Sequence, residues 1–312
     1  MNKIIVSGST AFDNIMHSDS NIKEHLVEKE MWNINISYIV SELKKENWWT
    51  GSNIVYNLAL LGSESILLTS VWNDYIFSDF MKENVNLDYI NISRDKLTAR
   101  SYITTDNNDN QVTAFYPWAM DDSCNISMLR DESAIYSIVS PNHIPTMKKH
   151  LKMLKEKWVK TLFDPGQQIT QMTKEDLEYC FELSDYIILN EYEYEVIKVR
   201  AAKTDAEMIE WFERMILTYW VKGSKIFDNN YNITEVHWVE NPDFIDATWA
   251  WDAFRAWLLK WLNDNYSWET SARIWAVLAS LSIWEFWAQN HFIDWKQFSN
   301  LYSQTFWESL EK

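Results

Sequence analysis

Residues 246–257 read DATWAWDAFRAW, and this string is the most informative part of the chain. After Asp252, apolar side chains recur at a spacing of about 3.6 residues, which predicts a helix from Ala253 to about Asn263. The free backbone N–H groups and the dipole at the start of a helix favour an anion. A single carboxylate there suits a general base beside a bound phosphate. The string therefore predicts a phosphate-handling site at the start of this helix.

Tryptophan occupies turn-like positions in which glycine is expected. The chain has 19 Trp and 5 Gly among 312 residues, whereas a chain of this length ordinarily has roughly 22 Gly. Trp lies in strings such as NWWTG (47–51), VWND (71–74) and YWVKG (219–223), where a flexible residue suits the backbone better than an indole. We hypothesise that the gene uses the codon UGA for glycine and that the sequence as written translates it as tryptophan. The alternative is a chain that is rich in tryptophan by descent, and the intact mass of protein from the native host distinguishes the two.

With glycine at positions 249 and 251, the string 246–257 closely resembles the C-terminal signature of the PfkB (ribokinase-like) family of carbohydrate and nucleoside kinases. In that family the turn forms an anion hole for the transferred phosphoryl group, and its Asp deprotonates the acceptor hydroxyl. The resemblance implies that the catalytic residues are Trp249, Ala250, Trp251 and Asp252. It also implies that a monovalent cation, K⁺, orders the turn through oxygen atoms of Asp246 and Thr248.

The first predicted strand leads to a carboxylate. Residues 3–9 form a short apolar run that ends in small residues, which is typical of a buried strand in an α/β sheet, and Asp13 lies just beyond it. An Asp at such a place ordinarily caps a turn. The resemblance implies instead that Asp13 binds sugar hydroxyls, because a carboxylate can accept two hydrogen bonds from a diol.

Residues 48–53, WWTGSN, precede a predicted helix over residues 54–61. With glycine in place of Trp48 and Trp49, they are similar to the family's N-terminal signature, Gly-Gly-x-x-x-Asn. The resemblance implies that Trp48, Trp49 and Asn53 bind the acceptor, since paired glycines let the backbone approach closely and an amide both donates and accepts. A second interpretation stays open, in which Asn53 is the N-cap of the helix.

Three segments alternate polar and apolar residues, which is typical of strands with one wet face. These segments are residues 33–40, 99–105 and 111–116. We expect them to form a small β-sheet lid, inserted at about 14–45 and 98–118. In the family such a lid closes on the sugar and excludes water. Phe115 or Tyr116 would stack on a purine or, alternatively, pack within the lid.

From residue 64 onward, the chain alternates predicted strands and helices. The strands are expected at 66–71, 134–140, 159–163 and 186–189, and the helices at 76–84, 144–157, 173–181 and 191–200. Repeated strand–helix units imply a mainly parallel sheet that is covered on both faces. Together with the resemblance, this pattern predicts one α/β domain over residues 1–312, a ribokinase-like three-layer αβα fold with a mainly parallel central sheet and the lid.

Asn190 and Glu193 lie at the end of a predicted strand and match the family's Asn-x-x-Glu motif. The resemblance implies that Asn190 contacts the nucleotide phosphates and that Glu193 organises Mg²⁺ through water. Such a role is chemically reasonable because Mg²⁺ retains much of its hydration and takes few protein carboxylates. The alternative is that Asn190 is a plain helix N-cap.

Residues 218–223, TYWVKG, follow another predicted strand. With glycine at position 220 they resemble the family's nucleotide loop, which implies that Thr218, Trp220 and Gly223 bind ATP. The alternative is a hairpin turn. Asn290 lies where the family places residues that flank the adenine, so the resemblance implies that it contacts the base.

Composition limits the possible partners. The net charge of −17 repels the phosphates of nucleic acids and of anionic membranes, so neither is an expected partner. Cys124 and Cys180 are too few for a disulfide framework and are expected to be reduced. No apolar run approaches the 18 residues of a membrane span, and no signal-peptide pattern is present, so a cytoplasmic protein is expected. The sequence leaves a monomer and a homodimer both open.

The resemblance implies transfer of the ATP γ-phosphoryl group to a primary hydroxyl, with Asp252 as the base. The strings NQVTAFYP (110–117) and FDPGQ (163–167) look like the bacterial branch commonly labelled adenosine kinase, so a nucleoside, and adenosine in particular, is the favoured acceptor. A ribokinase- or fructokinase-type sugar kinase is the alternative. If the tryptophans at 249 and 251 are genuine, a ligand-binding protein without catalysis becomes a third possibility, because indoles would crowd the phosphate site.

Overall fold

The structure is a computed structural model that describes residues 2–25, 37–108, 110–126, 129–130, 133–219, 222–239, 250–282 and 295–307. The strands in these residues are β1 (Lys3–Ser7), β2 (Ala11–Ser18), β3 (Glu42–Trp48), β4 (Ser65–Val71), β5 (Val85–Asn86), β6 (Ile90–Ile92), β7 (Ala99–Asp106), β8 (Gln111–Tyr116), β9 (Ala134–Val139), β10 (Lys160–Phe163), β11 (Tyr186–Asn190), β12 (Arg214–Thr218), β13 (Ser224–Asp228) and β14 (Ile233–Val236). The helices are α1 (Thr50–Leu60), α2 (Asp79–Asn84), α3 (Ile144–Glu156), α4 (Lys174–Leu183), α5 (Glu191–Ala201), α6 (Asp205–Trp211), α7 (Ala250–Asn263), α8 (Trp268–Ser282) and α9 (Trp295–Phe306). Among the described residues, none of the helices is both long and apolar enough to cross a membrane.

The larger sheet has the strand order β14-β13-β12-β11-β10-β9-β1-β4-β5, with β6 also beside β4. Neighbouring strands pair in parallel along the part of this order that runs β12-β11-β10-β9-β1-β4-β5. Strand β13 pairs antiparallel with β12, and β14 pairs antiparallel with β13. On β4, Ile66 and Leu68 face one hydrophobic core while Leu67 faces the other. This strand is buried on both faces, which explains why it reads as a nearly continuous apolar run.

Helices cover both faces of the larger sheet. Helices α1, α7, α8 and α9 contribute to the core that contains Leu67, and α3, α4, α5 and α6 contribute to the core that contains Ile66. The predicted three-layer αβα fold with a mainly parallel sheet is therefore confirmed. The strands and helices expected between residues 66 and 200 are found within a few residues of their predicted bounds.

The smaller sheet has the strand order β3-β2-β7-β8. Its two central strands, β2 and β7, pair in parallel, and the outer strands are antiparallel to them. Strands β7 and β8 confirm the strands predicted at 99–105 and 111–116, and the role of the smaller sheet as a lid stays a prediction.

The third strand predicted for the lid, at residues 33–40, is wrong, because the other two strands of the smaller sheet are β2 and β3. Of the strand predicted at 33–40, residues 33–36 lie outside the described residues and residues 37–40 are irregular. The actual strand, β3, begins at Glu42 and has the sequence ELKKENW, with exposed charged side chains along an edge. Charged residues are common on edge strands because they discourage further pairing, but they hide the alternation that marks a strand in a sequence. Asp13 lies within β2 and not in a turn, so the interpretation of Asp13 as a turn cap is wrong.

Several tryptophans have a backbone conformation that suits glycine. Seven described non-glycine residues have a positive φ, and four of them are tryptophans. These are Trp49 (94°), Trp118 (35°), Trp158 (58°) and Trp307 (56°). A side chain with a Cβ atom is disfavoured in this region, whereas glycine enters it freely.

Three further indoles are buried without a hydrogen-bond partner. The Nε1 atoms of Trp257, Trp261 and Trp275 are inaccessible and have no partner among the described residues. A buried N–H group left in this way costs about 1–3 kcal/mol. The tryptophans with positive φ and the buried indoles without a partner are both what the glycine hypothesis expects. The hypothesis itself stays a prediction.

Candidate active site

Two glycines bring the end of β1 against the start of α1. A Cβ atom added to Gly8 would lie 2.7 Å from Gly51 Cα, and one added to Gly51 would lie 2.8 Å from the carbonyl carbon of Gly8. Only glycine allows the two backbones to approach this closely. Next to this contact, Thr10 Oγ1 and Ser52 Oγ form a hydrogen bond of 2.7 Å. Strand β2 therefore starts beside the first turn of α1.

A hydrogen bond joins two sequence signatures that are 199 residues apart. The Nδ2 atom of Asn53 donates to Asp252 Oδ2 over 2.9 Å. Asn53 lies inside α1, and the N-cap position belongs to Trp49, so the interpretation of Asn53 as the N-cap is wrong. The helix begins earlier than expected, at Thr50, directly after Trp49, which has φ 94° and ψ 149°. The Asn53 side chain thereby points at the start of α7.

Arg255 lies between Asp252 and a second carboxylate, that of Asp164. Its Nη1 atom is 3.6 Å from Asp252 Oδ1, and its Nε atom donates to Asp164 Oδ2. Asp164 directly follows β10, where its backbone N–H donates to Val139 O over 2.9 Å. The exposed fraction of the side chain is 15% for Asp252, 12% for Arg255 and 0% for Asp164. These three charged groups form one largely buried cluster.

Sequence patterns did not identify Asp164 and Arg255 as site residues. Two signals were present in the chain. Asp164 comes directly after a buried strand, at the edge of the sheet where ligands bind in α/β proteins. Arg255 lies three residues after Asp252, which places both side chains on one face of α7.

Two carboxyl groups of the site, those of Asp252 and Glu193, have raised pKa values. Burial raises the pKa of Asp252; Arg255 and the hydrogen bond from Asn53 lower it, and Asp164 raises it further. Burial also raises the pKa of Glu193 to about 7, with a contribution from the charge of Asp164. The site therefore carries an excess of carboxylates, which a bound cation would stabilise.

Asp13 and Trp49 meet at the edge between the lid and α1. The indole Nε1 atom of Trp49 donates to Asp13 Oδ1 over 2.9 Å. The same indole stacks on Phe115 from β8, with ring centroids 4.3 Å apart and ring planes 23° apart. Burial raises the pKa of Asp13, although hydrogen bonds from Trp49 and Ser101 lower it. The Trp49 ring thus fills the space between Asp13 and Phe115.

Asn190 and Glu193 form a capping box at the start of α5. The N–H of Glu193 donates to Asn190 Oδ1 over 2.7 Å, and the N–H of Asn190 donates to Glu193 Oε2 over 2.9 Å. The interpretation of Asn190 as an N-cap is therefore confirmed. Glu193 is buried, and its second carboxylate oxygen is not needed for the cap.

Thr218 and Gly223 flank the turn between β12 and β13. The N–H of Tyr219 donates to Gly223 O over 2.8 Å, which confirms the hairpin interpretation, and Thr218 Oγ1 donates to Leu189 O over 3.2 Å. A cavity of about 260 Å³ opens beside this hairpin. It is lined by Glu191, Tyr219, Lys222, Ser224, Lys225, Glu235, Val236 and His237.

Some of the predicted site residues lie outside the described residues. These are Trp220, Asp246, Thr248, Trp249 and Asn290. For Trp48 and Ala250 only the backbone is described. Trp251, in the first turn of α7, is partly buried and packs against the hydrophobic core that contains Leu67. In the described part of the chain, no three His, Cys, Asp or Glu side chains are grouped so that they could hold a metal ion by themselves.

Residues 50–295 match the family model described as "pfkB family carbohydrate kinase". The chain is 30% identical over 296 residues to a nucleoside kinase from Methanocaldococcus jannaschii, covering 91% of each chain. It is similar to the structure of a Burkholderia thailandensis nucleoside kinase in complex with inosine, with a TM-score of 0.85, 26% identity, and coverage of 98% of this chain and 99% of the other.

More distant structures share the fold. An Arabidopsis thaliana ribokinase complexed with ribose and ATP has a TM-score of 0.80 at 16% identity, covering 97% of this chain and 99% of the ribokinase. The fold, the ordered signatures and the extent of the family match agree. The chain belongs to the pfkB family of carbohydrate kinases.

Proposed function

We propose that this PfkB-family kinase transfers the γ-phosphoryl group of ATP to the primary hydroxyl of a nucleoside, with adenosine as the favoured acceptor. The observation that carries the proposal is the 2.9 Å hydrogen bond from Asn53 Nδ2 to Asp252 Oδ2. It joins the acceptor signature and the catalytic turn in a single site. A sugar kinase of the ribokinase or fructokinase type is the alternative acceptor class.

Asp252 acts as the general base. As the acceptor oxygen forms a bond to the γ-phosphorus, the bond from that phosphorus to the β–γ bridging oxygen breaks and ADP leaves. The hydroxyl proton passes to a carboxylate oxygen of Asp252. Burial raises the pKa of Asp252, and this favours the transfer because a base is most effective when its pKa approaches the working pH.

The backbone amides at 249–252 hold the negative charge of the transferred group. Ala250, Trp251 and Asp252 form the first turn of α7 as described, and α7 is 14 residues long. The first N–H groups of a helix have no partner within it, and the dipole favours an anion there. Donors fixed in this way stabilise charge as it develops. Trp249 completes the proposed anion hole.

The side chain of Trp49 supports a nucleoside as the acceptor. Its indole is a flat fused bicycle that stacks on Phe115 and donates to Asp13. With glycine at positions 48 and 49, the same space suits a purine stacked on Phe115, and Asp13 accepts from the ribose hydroxyls. The similarity to a nucleoside kinase solved with inosine agrees with this assignment.

The nucleotide binds beside the hairpin between β12 and β13. Asn190 contacts the phosphates, Thr218 and Gly223 border the nucleotide, and the cavity of about 260 Å³ gives it space. Trp220, as glycine, and Asn290 belong to the same proposed site.

The residues present fit Mg²⁺ held through water. Burial and the charge of the nearby Asp164 raise the pKa of Glu193, so a cation beside these two carboxyl groups would be stabilised. Asp164 Oδ1 is buried and has no hydrogen-bond partner among the described residues. When bound, Mg²⁺ neutralises charge on the phosphates. K⁺ at Asp246 and Thr248 is a further part of the proposal.

A second candidate function is ligand binding without catalysis. The observation behind it is that the Trp49 indole fills the proposed acceptor space in the chain as written, which opposes turnover of an acceptor at that place. If tryptophan is genuine at positions 249 and 251 as well, the phosphate site has little room.

Activity of a glycine variant decides between the two functions. In this variant, glycine replaces Trp48, Trp49, Trp220, Trp249 and Trp251. We expect it to form ADP from ATP and Mg²⁺ in the presence of a nucleoside, and a panel of adenosine, inosine, ribose and fructose identifies the acceptor. Ligand binding without any turnover across this panel would reject the kinase assignment.

The role of Asp252 has its own test. In the glycine variant, Asp252→Asn removes the proton acceptor and is expected to lower kcat by about 10²–10⁴-fold. Asp79→Asn is a matched control, because Asp79 lies on α2 with a 91% exposed side chain. Turnover that survives Asp252→Asn would reject Asp252 as the base.

A further inference from the structure

The ion pair of Arg255 and Asp164 lies directly behind the proposed base. Arg255 Nε donates to Asp164 Oδ2, and Arg255 Nη1 is 3.6 Å from Asp252 Oδ1. On the opposite side, Asp252 Oδ2 accepts from Asn53 Nδ2. One oxygen of the Asp252 carboxylate thus faces an amide and the other faces a guanidinium group.

We infer that Arg255, held in place by Asp164, is a positioning residue that fixes the orientation of the Asp252 carboxylate and keeps it ionised. This inference rests on the proposed function of Asp252 as the general base. Arg255 does not touch the reacting atoms in this role. It acts through Asp252, and Asp164 acts through Arg255.

The rigid attachment of Asp164 explains how the guanidinium is aimed. Asp164 is fully buried after β10, and its backbone N–H is tied to Val139 O on the neighbouring strand. A guanidinium group presents its donors in a fixed planar fork, so a bond at Nε determines the direction of Nη1. Asp164, fixed at the end of β10, thereby sets the position of the positive charge of Arg255 on α7.

A purely structural ion pair would not require a third partner. Buried ion pairs can often be replaced by apolar residues without loss of stability. Here the guanidinium also faces Asp252. Burial lowers the pKa of Arg255, but the charges of Asp164, Asp252 and, to a smaller extent, Glu193 raise it by more. Arg255 therefore stays charged next to several carboxylates.

The electrostatic effects of the pair on Asp252 have opposite signs. The charged groups that act on Asp252 are Arg255 from its own helix, which lowers the pKa, and Asp164 from the end of β10, which raises it. The Asn53 amide of α1 also lowers the pKa. Removal of Arg255 and removal of the Asp164 charge should therefore shift the titration of Asp252 in opposite directions.

The test is the pH dependence of kcat/KM for the best acceptor, measured on the glycine variant at saturating ATP. Arg255→Met is expected to move the acidic limb upward by about 1–2 pH units, since a neighbouring Arg lowers a carboxyl pKa by about that amount. Asp164→Asn keeps an oxygen that can accept from Arg255 Nε but removes the negative charge, so it is expected to move the limb downward. Arg255→Lys keeps the charge but loses the fork, so it is expected to restore the limb and not the full kcat.

Arg273→Met is the matched control, because Arg273 pairs with Glu269 on the surface of α8. We expect the control to leave the acidic limb in place. If the limb also stays in place in Arg255→Met while Asp252→Asn is inactive, the inference is wrong and the proposed function stands. If Asp252→Asn is active, the proposed function itself fails. Should Arg255→Met not fold, Arg255→Lys decides, because lysine lacks the planar fork that reaches both Asp164 and Asp252. An unchanged kcat in Arg255→Lys would then overturn the inference.

Discussion

Trp158 illustrates how a single residue in a left-handed conformation affects stability. It follows the C-cap of α3 with φ 58°, and 91% of it is exposed, so it gains little from packing. Its N–H donates to Lys155 O, and the N–H of Val159 donates to Leu154 O, both over 3.1 Å. This pair of bonds is a Schellman motif, which usually has glycine at the left-handed position. Another residue there costs roughly 1–2 kcal/mol.

We predict that Trp158→Gly raises the free energy of unfolding by about 1 kcal/mol, because glycine adopts a positive φ without a steric cost. Trp158→Ala is the control, since alanine retains the Cβ atom that causes the strain. Urea denaturation of the two variants measures the difference. If Gly and Ala at this position give the same stability, strain at Trp158 is not the reason for expecting glycine there.

Three successive helices begin with the same type of cap. Capping boxes are formed by Thr173 and Asp176 on α4, Asn190 and Glu193 on α5, and Thr204 and Glu207 on α6. The geometry alone does not separate a functional Asn-x-x-Glu motif from an ordinary helix start. What sets α5 apart is the burial of Glu193 and the charge of Asp164 near it.

A comparison of two caps separates the roles. Asn190→Ala and Thr173→Ala each remove a capping side chain and should each lower the free energy of unfolding by about 1 kcal/mol. Only Asn190→Ala is expected to raise KM for ATP, by about tenfold, because it also loses a hydrogen bond to a charged phosphate. Kinetics of both variants in the glycine background give the answer. Equal KM values would leave Asn190 as a cap alone.

Elements with strong apolar periodicity could be predicted from the sequence, and charged or long-range features could not. The buried strand β4 and the amphipathic helix α7 have patterns that local chemistry imposes. Strand β3 carries exposed charges, and its pairing with β2 depends on a partner elsewhere in the chain. Asn53 and Asp252 each belong to a recognisable signature, although their hydrogen bond is a finding of the structure. The Arg255–Asp164 pair has no local pattern, because the two residues are 91 positions apart and meet only in the folded chain.

At the scale of the whole molecule, two distant buried groups have opposing effects on pH stability. Burial lowers the pKa of His150 from 6.5 to about 4, and its Nδ1 atom is 2.7 Å from Ser7 Oγ. Burial raises the pKa of Glu193 from 4.5 to about 7. Between about pH 4.5 and 6.5, the unfolded chain binds a proton at His150 that the folded chain lacks, so this group makes stability rise with pH. The folded chain holds a proton at Glu193 that the unfolded chain lacks, so that group makes stability fall with pH.

Replacement of either His150 or Glu193 should therefore reveal the pH dependence of stability that the other group causes. Relative to the parent protein, we predict that His150→Gln loses about 2–3 kcal/mol of unfolding free energy as the pH rises from 4.5 to 6.5, and that Glu193→Gln gains a similar amount. Urea denaturation at several pH values, without Mg²⁺ or nucleotide, measures both slopes. A zero slope relative to the parent in either variant would show that the replaced group has the same pKa in the folded and unfolded chain.

The position of the Trp49 ring has a kinetic consequence for any acceptor. In the proposed acceptor site between Asp13 and Phe115, a nucleoside would first have to displace the Trp49 indole of the same chain. A tethered group competes as if it were present at an effective concentration on the order of millimolar. A cell that inserts tryptophan at position 49 would therefore make an enzyme that carries its own competitive inhibitor, and a cell that inserts glycine would not.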